Sequence, residues 1–570
     1  GIQIMDYCMN LRHLRHLLSL LFILLFLFSL FSSNSYSFGT DKSSLQVGDY
    51  LVAKISNNEN DYRVTKRFYH KIHKKNPSDL LALDRLLLLS LLEGDFKSAN
   101  QYSFKLAQVG CDKSNNACCK SNQSPQGHLV NGISYLNSYN FDLADQSFAS
   151  IWHGDLSSTS FVRLLRAWVW AKPTTLDKSI GFIDLISSDS DRVTTLLHKA
   201  LIYDYTNEIE LAEVYYDQVL YQSSDLYIIN LYLNFLTRNN LQDKKQKVIN
   251  EFLSEYDSNL TSILINQNNR RLIENQLQGI GVVFFNSPSM IRGLKPELIH
   301  LMLQLAAITS PNLHEINFML ASLLTSLEDY DKSIKVYKEI PKNHYLGEYA
   351  TIQISDLYSL EDKNEDAINH LENFLKTRNT FEGLLSLGNY YRYDSKWDEA
   401  SKVYLKAIEF GLDINDKNLW EAYFKAGIAY ERSENWKEAE SHFLKALELH
   451  SDQPDVLNYL GYSYIDKDIN IETAKGMIEK ALNQKPNDPY IIDSMAWYYF
   501  KTEAYEEAKS LLEYAIDLMP YDPIINEHYG DALWKSGYNV EARFHWSKAL
   551  ELDPEEETIA DIKIKILKGI

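Results

Sequence analysis

The sequence predicts an all-α solenoid built from antiparallel helix pairs, and its last hundred residues carry that expectation. Landmark residues recur there at a step of 34: Ala474, Ala508 and Ala542; Ala481, Ala515 and Ala549; Pro486, Pro520 and Pro554. The two alanines of each unit lie seven apart, two helical turns, so they share a face and admit a close neighbouring helix. The proline ends each unit because it cannot continue a helix. A further column, Gly461, Ala496 and Gly530, gives the first helix of each pair its own small residue.

A chain of 570 residues exceeds what one globular core supports, which leaves several domains or a solenoid. The 34-residue period decides for the solenoid. The 38 tyrosines are the bulky residues that fill layers between helices, so their number follows from the fold and marks no site. A net charge of −20 argues against a nucleic-acid surface, which needs clustered Lys and Arg.

At the N-terminus, Met5 and Met9 are both possible starts. Arg12, His13, Arg15 and His16 precede an apolar run from Leu17 to Phe31 broken only by serines. That pattern suits a signal peptide over residues 1–37, with Ser35-Tyr36-Ser37 as a small-x-small cleavage site and Phe38 as the mature start. Counted from Leu11, the same segment could instead remain as an uncleaved inner-membrane anchor. Either way the rest of the chain is expected outside the cytoplasm, in a bacterial periplasm. No cysteine sits just after the run, so lipoprotein processing is not supported.

Sliding the 34-residue template gives an N-terminal array over 38–256. Ala53, Tyr69, Ile72 and Pro77 fit its first unit. Gly94-Asp95-Phe96 forms the turn of the second, with Ala99 at the close contact. Gly132, Tyr135, Ala144 and Phe148 mark the third, Ala167, Ser179 and Ile183 the fourth, Ala200, Ala212, Tyr216 and Val219 the fifth, and Leu226 to Leu253 a weaker sixth. The interval 257–310 loses the template. Gly279, Gly281, Pro288, Gly293 and Pro296 surround a short run Val282-Val283-Phe284-Phe285, read as a degenerate helical junction with helices on both sides of the run. A C-terminal array follows over 311–554. Gly388 to Gly427 is 39 residues, and the extra five are expected in a loop from Gly411 to Asn418. Residues 555–570 read as a capping helix with a polar outer face.

This period and pattern resemble the tetratricopeptide repeat, which implies a right-handed superhelix of roughly 11 to 12 helix pairs. A polar insertion at 110–125 carries Cys111, Cys118 and Cys119. In an oxidising compartment Cys111 could pair with Cys118 or Cys119. Free thiols, or a metal with His128 as fourth ligand, are the alternatives. No phosphate loop, zinc-protease pair or nucleophile elbow occurs. No enzyme, cofactor, metal or catalytic residue is therefore expected.

The resemblance also implies where a ligand would bind, because first helices of such repeats line the concave face. Counting from the small first-helix residue selects Asn389, Arg392 and Tyr393; Phe424, Ile428 and Arg432; Asn458, Tyr462 and Ile465; Asp493, Trp497 and Phe500; and Glu527, Asp531 and Trp534. This mixture of aromatic and polar groups suits a protein or peptide ligand. Trp497 and Trp534 could equally pack against neighbouring repeats. Asp, Glu and aromatics stand where a chaperone-carboxylate clamp would need Lys and Arg.

The segments Asn458-Tyr-Leu-Gly-Tyr-Ser, Asp493-Ser-Met-Ala-Trp-Tyr and His528-Tyr-Gly-Asp-Ala-Leu-Trp, with Gly48-Asp-Tyr-Leu-Val-Ala-Lys, resemble exported proteobacterial tetratricopeptide proteins of the alphaproteobacterial type. That resemblance implies a periplasmic scaffold or adaptor, of the kind that presents cell-wall hydrolases to a processing protease or assists envelope assembly. The alternative is a subunit of a polysaccharide or protein export machinery. Membrane association would come only through an uncleaved N-terminal segment.

Overall fold

The computed structural model describes residues 62–109, 124–151, 159–254, 256, 258–266, 271–291, 294–414 and 416–570. The expected signal segment, Gly48 to Lys54 and the loop bearing Cys111, Cys118 and Cys119 lie outside the described residues. Among the described residues there are 29 α-helices and no strand. No described helix is long and apolar enough to cross a membrane.

The chain forms two compact units, Gly1–Leu156 and Ser157–Ile570. In the first, helix Tyr62–Lys75 buries Tyr69 and Ile72 against the apolar helix Leu80–Leu92. Gly94, at φ +77°, turns the chain into helix Phe96–Gln108, and the Asp95 carboxylate caps that helix at the Ser98 amide, 3.0 Å away. Helices Pro125–Asn137 and Phe141–Ala149 complete the unit. Gly132 sits against the Phe148 ring so closely that a Cβ would stand 2.4 Å from it.

The second unit repeats one design. Its pairs begin with Thr159–Val169 and Leu176–Asp184, Arg192–Tyr205 and Ile209–Gln222, and Leu226–Arg238 and Gln242–Phe252. Five pairs run on from Phe381–Tyr393 and Trp397–Ile414, after His314–Ser326 with Tyr330–Tyr337 and Gly347–Leu360 with Asn364–Leu375. Leu419–Arg432 and Trp436–Leu449, Pro454–Asp466 and Ile471–Gln484, and Pro489–Lys501 and Tyr505–Leu518 are those that follow the Phe381 pair. Pro523–Lys535 and Asn539–Glu551 come last. Pro454, Pro489 and Pro523 open their helices, where a missing N–H costs nothing.

Within a pair, the small first-helix residue faces a large side chain of the second helix. Gly388 meets Tyr404, Gly427 meets Phe443, Gly461 meets Ile478, and Gly530 meets Trp546. Where the first helix carries Ala496 instead, the same core holds Leu512, smaller than the aromatic rings that face three of the four glycines. The column therefore records volume shared across a pair, which close packing requires.

Two expectations need correction. The run Val282–Phe285 is itself helical, inside helix Gln276–Met290, and does not separate two helices. That helix is itself the first of a pair with Pro296–Thr309, and it also lies against three earlier first helices. It packs on Thr159–Val169 and touches Arg192–Tyr205, and Phe285 meets Tyr227 edge-on at 5.3 Å. Gly279 lies against the Trp168 indole, where a Cβ would stand 2.1 Å away, and the Gln276 amide donates to the Val169 carbonyl at 2.6 Å. The interval 257–310 is thereby sewn into the second unit, and the compact units divide at Leu156 instead.

The extra residues after Gly411 lengthen a helix: Trp397–Ile414 runs on for 18 residues, with Gly411 against Phe381 and Leu419. The capping helix Glu556–Lys568 exposes Glu556, Asp561, Lys563 and Lys568, with Ile564 (50 % exposed) and Leu567 (77 %) among them, and turns Lys565 toward carboxylates beneath.

Candidate protein-binding face

The first helices from Phe381–Tyr393 to Pro523–Lys535 carry the selected residues, which divide into two groups. In the earlier group several polar groups serve the repeat itself. The Asn389 carbonyl accepts from the Tyr404 hydroxyl at 2.8 Å, and the Arg392 guanidinium lies over Tyr393, 5.6 Å from its ring. Tyr393 remains 37 % exposed. Phe424 is wedged between Phe443 and Tyr459, at 6.0 and 5.8 Å, while Ile428 and Ile465 are buried core. The Asn458 carbonyl and the Arg392 Nε are buried with no partner among the described residues.

In the later group the residues converge. Trp497 stacks on Phe500 at 4.8 Å and on His528 at 4.1 Å, with Tyr462 tilted 6.4 Å from the same imidazole. His528 Nδ1 lies 2.8 Å from the buried Asp493 carboxylate, across one repeat. Burial alone would lower the His528 pKa, but Asp493, with Asp531 and Glu527 behind it, outweighs burial and raises it. The dyad is covered by Trp497, so it fixes helices together and presents no reactive atom.

One repeat further, Lys565 of the last helix sits 2.7 Å from both Glu527 and Asp531. Burial opposes its charge, yet the two carboxylates raise its pKa. Asp531 also accepts from the Trp546 indole at 2.8 Å; burial raises its pKa against the pull of Lys565. Trp534 is covered on three sides, by Trp546 at 5.5 Å, by the Arg543 guanidinium at 4.7 Å and by Gly569. Glu527, Asp531 and Trp534 are therefore occupied by the chain's own C-terminus, as is Arg432, whose guanidinium meets Glu555 at 3.1 Å.

Sequence reasoning missed His528 and Lys565. His528 stands two before Gly530, a position outside the counted ones. Its signal is an imidazole 35 residues after an aspartate in a period of about one repeat. Lys565 carried no signal, since charge inside a cap opposes the usual pattern. Among the described residues no group of three or more His, Cys, Asp or Glu could hold a metal ion.

The tetratricopeptide-repeat family model matches residues 314–340 and 420–452. No curated protein matches the chain. Among solved structures, the chain is similar to a tetratricopeptide repeat protein from Parabacteroides merdae at 15 % identity, covering 45 % of this chain and 99 % of that one, with a TM-score of 0.38. It is similar to the Cut9–Hcn1 hetero-tetramer of the APC/C at 12 % identity, over 92 % and 96 %, TM-score 0.38. Pseudomonas aeruginosa pilF matches at 19 % identity over 33 % and 83 %, TM-score 0.28.

Proposed function

We propose, for a solenoid carrying tetratricopeptide repeats, that the chain is a non-catalytic scaffold holding a protein segment on its first helices between Phe381 and Lys501. Such repeats generally act as protein-binding scaffolds. The observation that carries the reading is internal: the first helix Pro523–Lys535 already receives a helix of this chain, Glu556–Lys568, through Glu527, Asp531 and Trp534. On the first helices before it, Tyr393 is exposed and Arg392, Asn458, Tyr462 and Trp497 are half-buried. A face that accepts one helix in cis has the shape and chemistry to accept one in trans.

The N-terminal charge and apolar pattern, with the resemblance to exported proteobacterial repeat proteins, supports a periplasmic setting and a role as protease adaptor or envelope-assembly factor. The test is site-specific photocrosslinking in the full chain in envelope extract. A crosslinking residue at Tyr393 should trap a defined partner, while one at Tyr221, 74 % exposed on a second helix, should not. Equal trapping from both positions, or none from Tyr393, would reject the reading.

A further inference from the structure

We infer that the floor beneath helix Glu556–Lys568 is a docking site for a basic amphipathic helix of a partner protein, with the chain's own C-terminal helix as its displaceable occupant. This rests on the scaffold reading and names the partner's chemistry.

The floor demands a cation. Glu527 and Asp531 are half-buried and buried respectively, and Lys565 is the ammonium that answers both at 2.7 Å. Without it two carboxylates face each other out of water, which is costly, so any occupant must bring Lys or Arg. Three residues before Lys565, Ile562 is fully buried among Leu533, Ala542, Trp546 and Ala549. An apolar residue and a cation three apart lie on one helical face, so a helix supplies both at once. The Arg543 guanidinium donates to the Ile566 carbonyl at 2.9 Å, a contact any helix end could offer because it is made to backbone.

The present occupant is held by few buried residues. Helix Glu556–Lys568 buries Ile562, packs Ile566 partly against the same core, and leaves Ile564 and Leu567 in water. Its other anchor, Arg432 to Glu555, joins side chains that are 35 % and 52 % exposed, a setting in which an ion pair contributes little. A short strap, Leu552–Glu555, connects it to the last pair, with Asp553 at φ +58°. Release of the helix therefore leaves the paired helices beneath intact and exposes an acidic floor with an apolar socket.

The test uses the full chain and, as probe, a fluorescein-labelled peptide of residues 553–570, read by fluorescence anisotropy. Lys565→Glu in the chain should free the floor and raise affinity for the wild-type peptide at least ten-fold over the wild-type chain. The peptide carrying its own Lys565→Glu should lose that binding. Equal affinity of both chains for the peptide, or no binding by either, overturns the proposal. Hydrogen exchange guards against a folding artefact: amides of 556–568 should exchange faster in the variant while those of 523–551 stay protected. Loss of protection in 523–551 with both Lys565→Glu and Lys565→Gln would make the helix an integral part of the fold and also overturn it. Wild-type dimers in sedimentation that Lys565→Glu dissociates would identify the occupant as a second copy's helix, against a partner. Trapping at Tyr393 does not depend on Lys565, so failure of the scaffold reading is seen separately.

Discussion

Arg432 and Glu555 are 123 residues apart in sequence and meet at 3.1 Å. The first helix that ends at Arg432 and the strap that precedes the last helix are thus brought together although three first helices, Pro454–Asp466, Pro489–Lys501 and Pro523–Lys535, intervene in the chain. The contact fixes where the C-terminal helix begins on the face, while Lys565 fixes where it ends. Because both side chains are substantially exposed, position is its main contribution. Arg432→Glu should lower stability in urea unfolding by less than about 1 kcal/mol, with recovery in the Arg432→Glu/Glu555→Arg double variant. A larger loss without recovery would mean that Arg432 acts through its packing over Trp397.

Gly427 shares its volume with Phe443: a Cβ at Gly427 would stand 2.5 Å from the ring. Gly427→Ala should destabilise by about 1–3 kcal/mol, measured by thermal unfolding. Adding Phe443→Leu should return part of that loss, since Ala496 and Leu512 show the same site packed with that pairing. Strictly additive losses would contradict the shared-volume account.

The His528–Asp493 pair gives stability a pH dependence of known sign. The folded pKa of His528 lies above its ordinary value near 6.5, so the imidazolium contributes fully below about pH 6.5 and its contribution fades as pH rises through the folded pKa. Asp493, Glu527 and Asp531 face it, with Tyr462 and Trp497 packed around. His198, His344 and His545 are pushed the other way, to about 3 or 4, by burial, so their contribution is lost as pH falls below about 6.5. The informative quantity is therefore the difference between wild type and His528→Gln. Above pH 6.5 that difference in melting temperature should shrink with rising pH, and a constant difference would refute the charged pair.

Turns within pairs place non-glycine residues at positive φ, among them Glu434 at 60° and Glu503 at 63°. An L side chain is strained there and glycine is not. Glu434→Gly and Glu503→Gly should each stabilise by about 0.5–1 kcal/mol, against the usual destabilising effect of glycine. A fall in melting temperature for either would show that its carboxylate makes a compensating contact.

How much of this was legible follows from the range of each contact. The alanine, glycine and proline columns report packing within a pair, 16 or 17 residues away, and a periodic sequence states such contacts directly. Thr159–Val169 and its neighbours were therefore readable as helix pairs. For Gln276–Met290 the pairing with the next helix, Pro296–Thr309, is local, but its seat on Trp168 and Val169, more than a hundred residues earlier, was not readable, because an apolar run does not name what it covers. The candidate face was legible to the same degree. Positions such as Trp497 and Asp531 followed from the period, but their neighbours His528 and Lys565 depend on curvature over several repeats.

Helix Gln276–Met290 also sets how this region can fold. An array whose units touch only their neighbours can begin folding anywhere and spread. Here the Gln276 amide reaches the Val169 carbonyl across 107 residues, so the first pairs of the second unit bury their inner surface only when that distant segment arrives. Closing a span of that length carries an entropic cost that contacts between adjacent pairs do not.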